Sequence, residues 1–306
     1  MKFILPFFLF LIADPLFAQS CNYNLQFSPF NAQVSENPQV IEHNLSISRP
    51  TNSSQANCSN YHIYFSQGQA NSYQRQANVA GNNIPYNVYK ESNLSSILKD
   101  FGDANTNERL EGTLPDPNVA DQQSFYVRIP SLEEIFNSPA NVYFDQILMN
   151  VYSVRSNGTL RYQRTGYLNI LITIPRFAQL SLIPENAPFD PDSTSYTMNF
   201  GVMSSNQELG ADLRVRGNVP FGIYMSSLNG SELVKQTQSV PYQIKVGDGN
   251  FRDLKPAGSM LYITQSNSRT NLDGNRYNIR TRLGEVPSNL DGGTYQDTIT
   301  ITIQAW

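Results

Sequence analysis

The sequence has few of the side chains on which most catalysis and metal binding depend. Its 306 residues include two histidines, His43 and His62, and two cysteines. Neither a Gly-x-Ser-x-Gly elbow nor a His-Glu-x-x-His pair occurs in it. His62 stands in an apolar stretch, where a structural role is expected. We therefore expect a protein that is not an enzyme and that uses neither a cofactor nor a metal ion.

Charged residues are also scarce, at 15% of the chain, and the formal net charge is −4. A negative balance argues against nucleic acid as a partner. The one long apolar run spans residues 1–12 and contains a single lysine. It is too short to cross a bilayer and is typical of a signal peptide, which we predict over residues 1–18. The remainder is expected to be exported and soluble, and its length favours two domains.

The two cysteines, Cys21 and Cys58, meet an oxidising compartment if the chain is exported. We predict that they form a disulfide bond with each other near the start of the mature chain. Closing a loop of this length stabilises a fold by roughly 3–4 kcal/mol through the entropy of the unfolded chain.

Aromatic and turn-forming residues are abundant, with 17 Tyr, 17 Phe, 18 Gly and 18 Pro. This composition suits short strands and turns and predicts an all-β protein. The clearest strand is the stretch 292–306, which alternates between an apolar and a threonine-rich face. An apolar strand left unpaired at a sheet edge templates another chain, so we expect a partner for it. Its apolar face and end consist of Tyr295, Ile299, Ile301, Ile303, Ala305 and Trp306.

Short matches between the two halves of the sequence indicate an internal repeat. We predict two tandem β-sandwiches, over residues 19–175 and 176–306. One of the matches makes the first copy about 28 residues longer, mostly between residues 91 and 140. Insertions in β-domains lie in loops, where recognition is usually built. The matched segments are 63–66 with 223–226, 84–88 with 240–244, and 166–167 with 293–295.

The second copy resembles the spore coat protein U domain, the subunit fold of archaic chaperone–usher pili in Gram-negative bacteria. The resemblance rests on Leu213-Arg-Val-Arg-Gly-Asn218, Gly222-Ile-Tyr-Met-Ser-Ser227, Val240-Pro-Tyr242 and the closing stretch from Gly293. It is clearer over residues 177–306 than over residues 20–175. It implies immunoglobulin-like sandwiches, the C-terminal one a pilin domain that lacks its last strand.

The resemblance also implies partners and a place in a fibre. In that family a periplasmic chaperone lends the missing strand, and the N-terminal extension of the next subunit replaces it at the outer-membrane usher. Here Cys21 follows the predicted cleavage site by two residues, which leaves no segment to donate. A two-domain subunit that receives a strand without giving one resembles a tip adhesin, exported through the periplasm to the pilus tip at the cell surface, which mediates attachment and biofilm formation.

The ligand of such an adhesin stays open at this stage. Exposed apolar loops would suit a host or abiotic hydrophobic surface, but the candidate residues suit a core equally well; a sugar site is a second possibility. The rival function is a secreted, coat-type structural protein made of two self-contained sandwiches. We also expect a short helix over residues 92–99 and a turn capped by Ser131 and Glu134. The candidate surface-binding residues are Leu94, Ile97, Leu98, Phe101, Leu132, Ile135 and Phe136.

Overall fold

A computed structural model describes residues 21–51 and 55–306 of the chain. The predicted signal peptide over residues 1–18 lies outside the described residues. The predicted all-β class is confirmed, because the described elements are nineteen strands, the one-turn helix α1 (Gln55–Cys58) and a 3₁₀ turn (Thr106–Glu108). Within these two ranges, no helix has both the length and the apolar character needed to cross a bilayer.

The first eleven strands form two facing sheets, here called the N-terminal sandwich. Their bounds are β1 (Asn24–Phe27), β2 (Phe30–Gln33), β3 (Gln39–Ser48), β4 (Asn60–Phe65), β5 (Gln76–Val79), β6 (Asn82–Pro85), β7 (Asn87–Tyr89), β8 (Leu110–Thr113), β9 (Asp121–Ile129), β10 (Asn141–Val154) and β11 (Leu160–Ile174). One sheet has the order β1-β3-β9-β7. The other has the order β2-β11-β10-β4-β8, and β5 pairs with both β10 and β6. Fully buried side chains from both sheets, such as Phe65, Phe125 and Ile170, fill the space between them.

The remaining strands form a second pair of sheets, the C-terminal sandwich. They are β12 (Ala178–Ile183), β13 (Glu208–Gly217), β14 (Phe221–Ser227), β15 (Glu232–Lys235), β16 (Gln238–Val246), β17 (Leu261–Ser266), β18 (Asn275–Leu283) and β19 (Ile299–Ala305). The larger sheet has the order β12-β13-β18-β16-β15 and the smaller one β17-β14-β19. Their core is built around Leu213, Phe221, Ile223 and Ile279.

The two sandwiches repeat one strand arrangement. The order β1-β3-β9-β7 recurs as β12-β13-β18-β16, and β8-β4-β10 recurs as β17-β14-β19. A pair formed by a buried tyrosine and an aspartate stands at the same place in each. The Tyr86 hydroxyl donates to Asp145 Oδ2 at 2.6 Å, and the Tyr242 hydroxyl donates to Asp297 Oδ2 at 2.6 Å. The strand order and the position of the tyrosine–aspartate hydrogen bond both identify β19 as the counterpart of β10.

This correspondence corrects one predicted match, that of residues 166–167 with 293–295. Residues 166–167 lie in β11, whereas the residues that follow 293–295 form the counterpart of β10. Tyr86 and Asp145 are 59 residues apart, and Tyr242 and Asp297 are 55 apart. The predicted insertion between residues 91 and 140 is therefore wrong. The additional residues of the first copy are mainly the β10–β11 turn and β11 itself.

Several local predictions are confirmed and one is wrong. The Asn157-Gly158 turn joins β10 to β11 as an antiparallel hairpin, with Gly158 at φ 80°. Ser131 and Glu134 exchange hydrogen bonds between their side chains and amides, as a capping box does, although a turn rather than a helix follows. Residues 92–99 form no helix, because Leu94 has a φ of 61° and the Leu98 amide donates to Val88 O.

The predicted disulfide between Cys21 and Cys58 is confirmed. Both cysteines are buried, and the Cys21 amide donates to Gln163 Oε1 at 2.8 Å. The chain is thus fixed to the N-terminal sandwich from Cys21 onward, because β1 pairs with β3 a few residues later.

The repeated tyrosine–carboxylate pairs should differ in strength. Asp145 is fully buried, so Tyr86→Phe removes a donor from a carboxylate without access to water and should cost about 1.5–3 kcal/mol. Asp297 is only partly buried and keeps a hydrogen bond from the Ser227 hydroxyl, so Tyr242→Phe should cost less. Hydrogen exchange read by mass spectrometry measures the loss in each sandwich separately. An equal or larger loss for Tyr242→Phe would contradict this interpretation.

Candidate functional site

The outer edge of β19 differs from the equivalent edge of β10. β19 pairs antiparallel with β14 from Ile299–Ser227 to Ala305–Phe221. β10 pairs with β4 in the same way and also with β11 along its whole length. In the part of the chain that the structure describes, no strand pairs with the other edge of β19. Its main-chain groups on that side are therefore open to a further strand.

The open edge leaves apolar side chains incompletely covered. Counted from the aligned Asp145 and Asp297, the inward residues Ile147, Met149 and Val151 of β10 match Ile299, Ile301 and Ile303 of β19. The first three are fully buried, whereas the last three are partly exposed. The difference follows from β11, whose Leu168, Ile170, Ile172 and Ile174 are buried in the core of the N-terminal sandwich.

A second segment borders the same core without a strand partner. Residues 194–200 follow β12 as β2 follows β1, and β2 pairs in parallel with β11. Met198 and Phe200 pack inward, whereas Thr197 and Asn199 are exposed. Among the described residues, the main-chain amides of residues 195–199 donate no hydrogen bond. We call the outer edge of β19 together with residues 194–200 the β19 edge.

The predicted pairing strand is shorter than expected. It begins at Ile299, because the Asp297 carboxylate accepts hydrogen bonds from the amides of Asn229 and Thr298 and ends the regular pairing there. Tyr295 lies outside the strand, and its hydroxyl donates to Gln238 Oε1 at 2.5 Å. Ala305 is exposed, and the half-exposed ring of Trp306 lies against Gly222, where a Cβ would meet it at 2.8 Å.

Of the seven predicted apolar surface residues, three are buried and one is exposed. Leu98 is fully buried, and Ile135 and Phe136 are 6% and 4% exposed. Phe136 packs against Phe177 at the junction of the two sandwiches, with ring centroids 5.7 Å apart. The prediction that these three residues are exposed contact residues is wrong, because tertiary contacts cover them. Leu94, Ile97 and Leu132 are half-buried, and Phe101 is 50% exposed.

Phe101 belongs to an aromatic cluster that the sequence analysis missed. Its ring stacks on Tyr152 with centroids 4.6 Å apart, and Tyr64 meets both rings edge-on. Tyr162 continues the row beyond Tyr152. Tyr64 and Tyr152 alternate with core residues along β4 and β10, so the strand period predicts that both point outward. The sequence does not predict that β4 and β10 are neighbours in the sheet.

Comparison with known families confirms the resemblance to spore coat protein U. The family model described as Spore Coat Protein U domain matches residues 10–150. The match falls on the N-terminal part of the chain, not on residues 177–306, where the sequence resemblance had been judged clearer. No curated protein matches the chain in sequence.

Three solved structures are similar to this chain along most of its length. A chain of the CsuC–CsuE chaperone–tip adhesion subunit complex of Acinetobacter baumannii is 14% identical, with 92% of this chain and 100% of that chain covered and a TM-score of 0.45. The CupB6 tip adhesin of Pseudomonas aeruginosa is 10% identical, with coverage of 93% and 97% and a TM-score of 0.38. CfaE, the adhesive subunit of CFA/I fimbria of enterotoxigenic Escherichia coli, is 12% identical, with coverage of 91% and 93% and a TM-score of 0.30.

Truncation should separate the buried from the exposed members of the predicted cluster around Leu98 and Phe101. Leu98→Ala removes a fully buried side chain and should cost about 2–5 kcal/mol of unfolding free energy. Phe101→Ala removes a half-exposed ring and should cost about 1.5 kcal/mol or less, chiefly its contact with Tyr152. Urea unfolding of the two variants gives the comparison. A larger loss for Phe101→Ala would show that its ring belongs to the core.

Proposed function

We propose that this chain is a subunit of an archaic chaperone–usher pilus, in which another polypeptide supplies a strand to the C-terminal sandwich and the N-terminal sandwich binds a surface. The β19 edge carries this proposal. One arrangement occurs twice in the chain, once with β11 in place and once with that edge unpaired. The spore coat protein U match supports it further.

The N-terminal sandwich indicates what the incoming strand requires. β11 runs antiparallel to β10 and places Leu168 opposite Ile147 and Ile170 opposite Asp145. A strand at the β19 edge should therefore present large aliphatic side chains opposite Ile299 and Asp297. Its other side would meet residues 194–200, as β11 meets β2. Main-chain hydrogen bonds supply affinity in such strand addition, and alternate side chains supply specificity.

The contacts that an incoming strand would add contribute a free energy comparable to the stability of a whole domain. Four buried aliphatic side chains, as on β11, are worth roughly 1.5–3 kcal/mol each. Their sum is comparable to the whole stability of a typical domain, about 5–15 kcal/mol. The C-terminal sandwich should accordingly need a periplasmic chaperone before assembly. At the usher, the N-terminal extension of the next subunit would take the chaperone's place.

We further propose a position at the pilus tip. Cys21 is bonded to Cys58, and the chain from there onward is built into the N-terminal sandwich. A mature chain that starts after Ala18 would have no segment to donate, so it would receive a strand without giving one. The tip location at the cell surface leaves the N-terminal sandwich to contact a host or abiotic surface, with attachment and biofilm formation as the outcome.

A binding role without catalysis fits the surroundings of both histidines. His43 contacts Ser28 O through Nε2 and packs between Phe30 and Phe125. His62 contacts the Tyr64 hydroxyl at 3.3 Å and Glu111 at 3.5 Å. Burial lowers the pKa of each imidazole, so both are neutral at pH 7 and serve as packing groups.

A synthetic peptide with the sequence of residues 164–175 should stabilise the C-terminal sandwich of the full chain. The peptide reproduces β11, and the N-terminal sandwich cannot take it because its own β11 is in place. Trp306 is the only tryptophan and lies on β14, so its fluorescence reports thermal unfolding of the C-terminal sandwich. At a hundredfold excess over Kd the gain should be about 2.7 kcal/mol.

A peptide of the same length carrying Ile170→Asn and Ile172→Asn is the matched control and should have little effect. The proposal fails if neither peptide moves the Trp306 transition and the C-terminal sandwich unfolds cooperatively without help. That result would support the secreted coat-type protein with two self-contained sandwiches.

A further inference from the structure

A cavity of about 470 Å³ opens on the N-terminal sandwich, where the loop after β4 and residues 98–103 meet β10. Its volume is within the range of small-ligand sites. Three separate segments, residues 66–73, 100–103 and 146–148, provide the lining, which contains both polar and apolar groups. Its polar side chains include Gln69, Asn71, Tyr73, Asp100, Asp103 and Gln146.

A fully buried arginine holds the walls of this cavity in place. Arg75 donates to Ser66 O at 2.7 Å, to Leu98 O at 2.7 Å and to Asn87 Oδ1 at 2.6 Å. The Gln69 amide is anchored on Asp145 Oδ1 at 2.9 Å. Gly68, at φ +70°, approaches Asp145 so closely that a Cβ would meet Oδ2 at 2.3 Å. Fixed walls of this kind lower the entropic cost of binding.

Several polar atoms of the lining remain available to a ligand. Asp103 Oδ2 accepts the Tyr73 hydroxyl at 2.8 Å, and Asp100 Oδ1 accepts Asn150 Nδ2 at 3.2 Å. Within the described residues, the second carboxylate oxygen of Asp100 and of Asp103 accepts no hydrogen bond. The amide side chains of Gln69 and Asn71 are likewise free of intrachain hydrogen bonds there. The cavity thus presents acceptors and donors side by side.

An aromatic pair outside the lining follows one of these carboxylates in the chain. Phe101 lies between Asp100 and Asp103 in the chain, is half exposed, and stacks on Tyr152. The lining contains two carboxylates and no lysine or arginine, so an anionic ligand would be repelled. Acceptors, amides and an aromatic face together match a ligand that has hydroxyl groups on its rim and C–H groups on its faces.

We propose that this cavity, together with Phe101, binds a neutral carbohydrate. The proposal rests on the proposed function, in which the N-terminal sandwich is the binding part, and it names the ligand class. Hydroxyl groups of the sugar would donate to Asp100 and Asp103 and exchange hydrogen bonds with Gln69, Asn71 and Gln146. The aromatic face of Phe101 would cover the apolar side of a sugar ring.

Saturation-transfer NMR on the intact mature chain tests the proposal with defined probes. The neutral probes are lactose, maltotriose, cellotriose and triacetylchitotriose; sialyllactose is the anionic probe and spermidine the cationic one. At least one neutral probe should bind. Asp103→Ala and Phe101→Ala should each weaken it about tenfold, the effect of losing one charged hydrogen bond or one ring contact. Asp116→Ala, an exposed carboxylate outside the cavity, is the control and should leave binding unchanged.

Near-UV circular dichroism establishes that each variant is folded. The proposal is overturned if no neutral probe binds, if spermidine or sialyllactose binds more tightly than every neutral probe, or if the folded cavity variants bind as well as the control. Its failure is distinct from failure of the proposed function, because the strand-peptide experiment reads Trp306 in the other sandwich. A chain that responds to the peptide but binds no sugar remains a pilus subunit with another ligand.

Discussion

A β-strand must find hydrogen-bond partners for the main-chain groups on both of its edges or leave one edge to solvent. This requirement governs the difference between the two sandwiches. β10 has partners on both sides and buries Ile147, Met149 and Val151 fully, whereas β19 has one partner and leaves Ile299, Ile301 and Ile303 partly exposed. The same apolar alternation therefore lies in a closed core in one half of the chain and beside an open sheet edge in the other.

Local signals in the sequence predicted local structure well. The Asn157-Gly158 turn, the Cys21–Cys58 bond and the alternation of residues 299–305 each depend on a few neighbouring residues or on simple counting. The match of residues 166–167 with 293–295 failed because it compared residue types, whereas the correspondence of strands depends on what each strand pairs with. The β4–β10 pairing and the Tyr86–Asp145 contact identify the counterpart of β19, and both join distant segments.

The surroundings of the proposed binding surface were harder to predict from the sequence. Leu98, Ile135 and Phe136 are apolar residues in irregular segments, and their burial depends on contacts such as that of Phe136 with Phe177 across the junction. The cavity beside Phe101 is held by Arg75, a charged residue that ordinarily lies at the surface. It is buried because main-chain carbonyls of residues 65–66 and of Leu98, together with the Asn87 side chain, converge on it. Such convergence has no signature in the order of residues.

The short turn between β10 and β11 has a kinetic consequence. Because β19 has an edge with no strand partner among the described residues, β11 has two possible docking places, β10 and β19. A five-residue connection brings β11 onto β10 within microseconds, whereas contact with β19 requires closure of a loop of more than a hundred residues. Because a chain is synthesised from its N-terminus, β11 has already paired with β10 when β19 is made. The two halves are therefore not expected to exchange strands.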